Sequence, residues 1–513
     1  MNPRFSYHHL PNLPSNAWSV FFWKNVDAVQ VFHGSGVEVR DGFFAEAVWN
    51  DSFDAAGLGN ASLFFGTGCH IDGTHAVFHT SSDNTAPIYS LRRKDEVMLS
   101  NSIIHLMELS GTAPLNAYPF YTYDLLRTAR AGIGQPSGTL FHRGGGVLKV
   151  HFKTRIRADC SLEMSCSPYS AVPKPIDYAN LLAIYRTEIG RLFENGAHEG
   201  RTFQYGQSVL CSSGYDSLAN SVVCAGLGSR TFISVVDSRS ESPVADSGKG
   251  PLGWIGLDVH EADRYVHLSS PKACDAEFAL GALSNYPFLS ACEGYLGKSL
   301  LINGNLGDVM WSGHNGRLSG NDGRDWGLYI IPCLSSTEHR LRVGYIDVSP
   351  QAMFIQQADA VFRISASKEM EPYLVDPAYD RPIPRRIIEE SGVPRGTFAT
   401  RKMATGFTHF SNPISMHPDA LDAYRSFVDR SIPKGPLRWF SKGLHAIEQF
   451  LHKHWFRSHP QWRNDDPDRF RLVAVDGFRL KVPWQQSYLL QWSFEVLRGR
   501  YAAAAVLKRN LSH

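Results

Sequence analysis

The residue pattern predicts an α/β protein: a strand-rich first part, then a parallel sheet covered by helices on both faces, then a helical C-terminal part. Three observations carry that prediction. Residues 17 to about 165 break into short strands between Gly, Asn and Asp turns, with alternation visible in AVQVFHGSGVEVR, THAVFHT and GGVLKVHFKTRIRA. After residue 205 the order becomes strand, loop, helix, strand, which implies parallel strands joined by crossover helices. Beyond about residue 350 helical periodicity dominates, among Pro and Arg clusters.

These changes divide the chain into a first domain over 1–165, a second over 176–410 and a helical extension over 411–513. The stretch SCSPYSAVPKP, residues 165–175, reads as the linker. Asp177 is then the expected N-cap of a helix whose Tyr178, Leu181, Leu182, Tyr185, Ile189, Leu192 and Phe193 share one face. QSVLCSS is a strand, SGYDS a tight loop, LANSVVCAGLG a helix ending in glycine, and TFISVV the next strand. The segment from Pro436 to Arg457 is basic and aromatic at helical spacing. Such a stripe packs on its own domain while its lysines stay solvated, or else touches a membrane surface or an acidic partner.

Composition narrows the function classes. A chain of 513 residues accommodates about two to four domains. Hydrophobic residues at 43% and charged residues at 19% suit an ordinary folded protein, and a net charge of +2 argues against a nucleic-acid partner. No apolar run approaches the roughly 18 residues of a membrane span. The opening MNPRFSYHHLPNLPSN lacks a basic-then-apolar signal pattern, so the expected location is the cytoplasm. The eight cysteines form no CxxC pair and read as structural, several of them small hydrophobes in apolar strands or helices. His452 and His454 in LHKHW point to different sides of a helix, and no HExxH pattern occurs, so they read as surface histidines.

The chemistry is concentrated in Ser212-Ser213-Gly214-Tyr215-Asp216-Ser217, between a buried strand and a helix N-terminus. Unpaired backbone N–H groups there attract an anion, small residues allow close approach, and the hydroxyls donate to phosphate oxygens. Asp216 supplies a hard oxygen suited to magnesium. The GxxxxGK[ST] spacing of a Walker loop is absent.

This segment resembles the SGGxDS pyrophosphate loop of the ATP-pyrophosphatase superfamily, with Ser213 where the first glycine usually stands. Lys298 to Asp308, KSLLINGNLGD, is similar to the SGxGxDE segment of asparagine synthetases. Asp308 matches its aspartate, Val309 replaces the glutamate, and Asn305 stands where a glutamate is common. YDRPIPRRIIEESGVPRGTFATRKMATGF, residues 379–407, resembles the C-terminal run of the same family, with Arg385, Arg386, Pro394, Arg401 and Lys402 in order. Gly42 to Trp49 looks like the GxFAFALWD strand of the class II glutamine amidotransferase domain, and residues 79–103 like its following strand pair.

The resemblance to asparagine synthetases, spanning about residues 20–410, implies an Ntn-hydrolase-like αββα domain followed by a PP-loop, HUP-like ATP-pyrophosphatase domain. It implies ATP and Mg2+, with Asp216 and Asp308 holding the metal. Ser212, Ser213, Gly214, Tyr215, Asp216, Ser217 and Gly304 would hold the phosphates, and Lys402 would stabilise the transition state. The substrates would be a carboxylic acid and an amine donor: a peptide, an amino-acid derivative or a uronic-acid sugar. A homodimer is left open. Glutamine hydrolysis in that family needs an N-terminal cysteine nucleophile. Here Asn2 follows Met1 and the first cysteine is Cys69, so the expectation is a silent glutaminase, as in β-lactam synthetases and lasso-peptide cyclases. The alternative is a non-catalytic nucleotide-binding or assembly subunit, favoured by Val309, Asn305 and Ser213. A tRNA-thiolating relative is disfavoured by the missing cysteine pair.

Overall fold

The computed structural model describes residues 2–116, 118, 121–130, 132–239, 246–270, 274–281, 286–311, 336–375, 381–399, 416–432, 435–436, 439 and 488–511. It is a mixed α/β protein with three large sheets, one of them wholly parallel, and a two-stranded ribbon.

The first half forms two sheets packed face to face. One has seven strands in the order Arg4–His9, Ala28–His33, Trp18–Trp23, Glu96–Ser100, Ile88–Arg92, Val147–His151, Ser137–Leu140. The other has six, in the order Met164–Ser167, Arg155–Asp159, His75–His79, Phe64–Asp72, Phe43–Trp49, Glu38–Arg40. Neighbours are antiparallel except for the parallel pair Arg4–His9 and Ala28–His33. The last strand extends beyond the boundary expected at 165: Ser165 and Cys166 pair with Arg157 and Ile156, so the connecting stretch begins later than its composition suggests.

Period-two geometry explains why Phe43–Trp49 is buried at every position. Phe44 faces the space between the sheets, with Trp18, Phe22, Phe78, Leu99 and Ile156. Phe43, Ala45, Ala47 and Trp49 face the other way and are covered by Leu58, Phe64 and Tyr169. Glu46 falls on the inner face with Phe44 and is fully buried.

The second half is a five-stranded parallel sheet in the order His260–Asp263, Thr231–Val236, Gly206–Cys211, Ser299–Ile302, Ile346–Val348. Helix Tyr178–Gly196 begins where Asp177 accepts the Asn180 N–H at 2.8 Å, and it buries Leu181, Tyr185, Ile189 and Leu192 in the same core as Val209, Leu300 and Ile346. The described part of the C-terminal extension is helical over Pro418–Ser431, Leu489–Leu497 and Ala502–Leu511. Its last two helices do not extend the second half. They bridge back to the first, where Leu497, Tyr501 and Ala504 pack in one cluster with Leu106 and Leu109 of helix Ile103–Ser110, while Ser493 donates to the Ala276 carbonyl of the second half at 3.0 Å. Among the described residues no helix is long and apolar enough to cross a membrane.

The halves are joined through a buried ion pair. Arg340, on helix Thr337–Val343, donates both terminal nitrogens to Glu46, one of them at 3.1 Å. Glu46 Oε1 also accepts from Asn101 Nδ2 at 3.2 Å and from the Thr67 hydroxyl, which in turn accepts the Trp18 indole N–H at 2.8 Å. A carboxylate inside a sheet sandwich is tolerated because every lobe meets a donor. Removing it leaves a guanidinium that is 1% exposed without its counter-charge. Glu46→Ala is therefore expected to destabilise the protein by about 3–5 kcal/mol in urea unfolding, and the Glu46→Leu, Arg340→Met pair by clearly less.

Candidate functional site

The parallel sheet locates the site before any side chain is considered. The chain leaves Gly206–Cys211 toward Thr231–Val236 and His260–Asp263 on one side, then crosses to Ser299–Ile302 and Ile346–Val348 on the other. The order thus reverses between Gly206–Cys211 and Ser299–Ile302, and ligands of open α/β sheets bind outside the strand ends at such a point. The loops that leave these two strands are 212–214 and 303–306.

The first loop is built on its own hydroxyls. The Ser217 hydroxyl accepts the Ser212 N–H at 3.1 Å and pairs with the Ser212 hydroxyl at 2.8 Å, while Ser212 Oγ accepts the Gly214 N–H at 3.1 Å. Gly214 caps helix Tyr215–Gly226 with an extended backbone and no side-chain cap, so the cap leaves the first-turn N–H groups to other acceptors. Asp216 stands in that first turn, where the helix dipole favours negative charge.

The second loop lies directly on the first. A side-chain carbon at Gly304 would come within 2.8 Å of the Ser217 nitrogen, and one at Gly307 within 2.4 Å of the Asp216 carboxylate. Glycine at both positions is what allows the two loops to touch. Leu306 takes a left-handed φ of 68° to start the short helix Gly307–Met310, which carries Asp308 at backbone level beside Asp216; the Asp308 side chain lies outside the described residues. Val309 is 1% exposed and packs in the core, so no acid is offered at that position. Among the described residues no group of three or more His, Cys, Asp and Glu side chains is placed to hold a metal.

A third segment folds back over the first loop. Arg385, on helix Pro382–Glu390, donates to the Tyr215 hydroxyl and lies 4.9 Å from the Tyr215 ring and 5.4 Å from that of Phe398. The Ala399 N–H then donates to the Ser213 carbonyl at 2.7 Å. Arg386 faces elsewhere, stacked on Tyr178 at 3.8 Å and paired with Glu369 and Glu390. Lys402 lies outside the described residues, as do Arg401 and Cys333.

Two features were not anticipated from sequence. Asp246 accepts both the Ser213 N–H at 3.2 Å and its hydroxyl at 2.8 Å, so a carboxylate from the loop after Thr231–Val236 occupies donors of the 212–217 loop. A polar chain also runs behind the site. Asn220 donates to the Asn303 carbonyl at 2.7 Å, and Asn303 donates to Asp347 at 2.5 Å while accepting the Asn305 N–H at 3.0 Å. Burial, reinforced by the Asp83 carboxylate of the first half, pushes Asp347 up to about 7. No local signal marks either residue: Asp246 lies ten residues beyond Val236, and Asp347 is the middle residue of a three-residue strand.

The glycine contacts lead to a direct expectation. Gly307→Ala forces a methyl into the Asp216 carboxylate and should destabilise by about 1–3 kcal/mol in thermal or urea unfolding, whereas Gly250→Ala, which meets no neighbour, should cost well under 1 kcal/mol. The protonation of Asp347 supplies another. Its proton is held to about pH 7 in the folded state but lost near 3.8 when unfolded. The stability it contributes is thus complete in acid and is lost as pH rises through that window. At about 1.4 kcal/mol per pH unit, wild type should lose on the order of 4 kcal/mol relative to Asp347→Asn between pH 4 and 7. Parallel stability curves for the two proteins would refute this.

A scan against models of known protein families finds none that matches the chain, and a search of the curated proteins finds no relative.

Proposed function

We propose that the protein is an ATP-dependent, AMP- and pyrophosphate-forming ligase of the asparagine-synthetase type, which adenylates a carboxylate and forms an amide without hydrolysing glutamine. The observation that carries this reading is the contact between the 212–217 loop and the 304–308 loop, made across the reversal point of the parallel sheet. These two segments carry the motif resemblance, and they are far apart in sequence.

In this reading the 212–217 loop, Ser212, Ser213, Gly214, Tyr215 and Ser217, holds the β- and γ-phosphates of ATP, the phosphate oxygens replacing the bonds that the Ser212 and Gly214 N–H groups make within the loop, with Gly304 closing against them. The substrate carboxylate attacks the α-phosphorus, the α–β bridging oxygen leaves with pyrophosphate, and the acyl group becomes a mixed anhydride with AMP. The amine nitrogen then attacks the acyl carbon, AMP departs with the C–O electron pair, and the nitrogen loses a proton. Adenylation replaces a poor leaving group with a good one.

The residues present fit a magnesium ion. Asp216 offers a hard carboxylate oxygen, the absence of a side chain at Gly307 lets the 304–308 loop lie against it, and Asp308 follows in the chain. Two carboxylates plus phosphate oxygens are a usual magnesium donor set, and the ion would offset charge building on the departing phosphates. Before ATP can use the Ser213 donors, the Asp246 carboxylate must give them up. Lys402 follows Ala399 by three residues, a span of at most about 11 Å, and Ala399 is itself bonded to Ser213; the lysine can thus serve as the cation at the phosphates. An amine supplied without glutaminase chemistry is supported by Cys69, which lies in the core between the two sheets with its thiol pushed up by burial.

Val309 supports a second reading, a nucleotide-binding or assembly subunit, because burial leaves no room for an acid where the family often carries one. Product analysis separates the two. Carboxylate-dependent ATP–pyrophosphate exchange with AMP as product is expected, and Asp216→Asn should suppress it while leaving the unfolding midpoint near wild type. ADP as product would exclude the mechanism; nucleotide binding without exchange would favour the second reading. Lys402→Ala should retain ATP binding but slow amide formation about a hundred- to thousandfold, with poor rescue by Lys402→Arg. Turnover near wild type in the alanine variant would remove Lys402 from the site.

A further inference from the structure

A small cavity of about 30 Å³ lies at the seam between the two halves, lined by Ser62, Ser82 and Lys153 from the first half, Tyr169 from the connection, and Met353 and Ile355 from the second. That volume holds roughly two water-sized spheres, enough for a monatomic ion or the head of a small acid. Lys153 dominates its chemistry. The side chain is 3% exposed, and its ammonium has no hydrogen-bond partner. No ion pair involves it among the described residues. Its backbone sits at a left-handed φ of 49°, at the turn between Val147–His151 and Arg155–Asp159.

The acid that Lys153 feels electrostatically is Asp83, which forms no ion pair with it. Asp83 Oδ1 is taken by Ser81 at 2.6 Å and by the Thr85 hydroxyl and N–H at 2.6 and 2.9 Å; its Oδ2, like the ammonium, is buried without a hydrogen-bond partner, and burial pushes the Asp83 pKa up. Burial lowers Lys153 to about 8, which still leaves it protonated at neutral pH. A buried ammonium with three unused donors is costly unless an acceptor is supplied. Two hydroxyls complete the donor set. Ser62 Oγ already accepts from Asn50 Nδ2 at 2.8 Å and Ser82 Oγ from the Phe64 N–H at 2.9 Å, so each hydroxyl hydrogen is left to donate.

We propose that this cavity is a binding site for a small monoanion, a carboxylate head group or a halide, held by Lys153 together with the hydroxyls of Ser62 and Ser82. The small volume excludes a larger anion, and Met353 and Ile355 with Gln356 form the wall from the second half. Because walls from both halves enclose it, the bound anion fastens them together. The inference is independent of the ligase reading.

The test compares thermal unfolding of the full chain in sodium chloride, sodium acetate and the bulky-anion salt sodium 2-(N-morpholino)ethanesulfonate at matched ionic strength. Chloride and acetate are expected to raise the midpoint of the wild type by several degrees over the bulky anion, and Lys153→Met should give the same midpoint in all three. Chloride-35 NMR line broadening by the wild type, competed by acetate, reads occupancy directly. Stronger competition by acetate identifies a carboxylate site, weaker competition a halide site. Equal wild-type midpoints, or anion dependence retained in Lys153→Met, would overturn the proposal. If Lys153→Met does not fold, the Ser62→Ala, Ser82→Ala variant should bind chloride about tenfold more weakly, and unchanged affinity would overturn it. Anion dependence that appears only in Asp83→Asn would make Asp83 the counter-ion and equally overturn it.

Discussion

The buried pair between Glu46 and Arg340 is the constraint on which the arrangement of the molecule depends. Each partner lies on a different half, each is essentially without solvent, and neither has another full counter-charge at hydrogen-bond distance. Such a pair adds little net stability, because desolvation opposes the Coulombic gain, but it penalises any register in which the two do not meet. Around it the Asn16 N–H donates to the Leu341 carbonyl at 2.8 Å, and Glu338 accepts from Ser102 and from Tyr501 of the C-terminal segment, each at 2.5 Å. Three stretches remote in sequence are thereby held at one place. The edge strand Ile346–Val348 is covered by Phe43–Trp49 and Phe64–Asp72, which removes an exposed sheet edge.

This docking has electrostatic consequences at the candidate site. Asp347 belongs to the covered edge strand, so the first half strips it of water and brings Asp83 near it. Through Asn303 the same carboxylate is bonded to the loop that lies on Asp216. The site is therefore not built by the parallel sheet alone. Its second loop is braced from behind by a polar chain whose charge state the first half sets, and Lys153 lies along the same seam. The ion pair that orients the halves also encloses their remaining ionisable groups.

At the front, the decisive contacts involve what is missing. Gly304 and Gly307 allow the two loops to approach within a distance that no side chain permits, and Leu306 accepts a left-handed backbone to make the turn. Arg385 fixes the other flank by filling the space between Tyr215 and Phe398, a role in packing and orientation. Asp246 accepts from both donors of Ser213, so within the fold these groups are already paired with a carboxylate.

Local patterning was enough for the individual elements. Asp177 capping its helix and the strand Gly206–Cys211 follow from periodicity and cap residues acting within a few positions, whereas the next helix starts three residues earlier than its apolar pattern suggests, so that Tyr215, Asp216 and Ser217 of the expected loop form its first turn. The loop 212–217 was legible for the same reason, since its small residues and its place before a helix are local facts. The partners of these elements were not. Nothing near Glu46 in the chain announces Arg340, nothing near Ser213 announces Asp246, and an ordinary KTRIR segment hides a buried lysine. The return of the last two helices to the first half was equally unreadable, because an apolar helix face does not specify which surface covers it. Sequence alone determined where strands, helices and a tight loop of small residues form, since those depend on neighbours along the chain. Which charges meet, which are stripped of water and which loops touch was decided only by tertiary packing, because burial and Coulombic pairing act between groups that lie from tens to hundreds of residues apart in the chain.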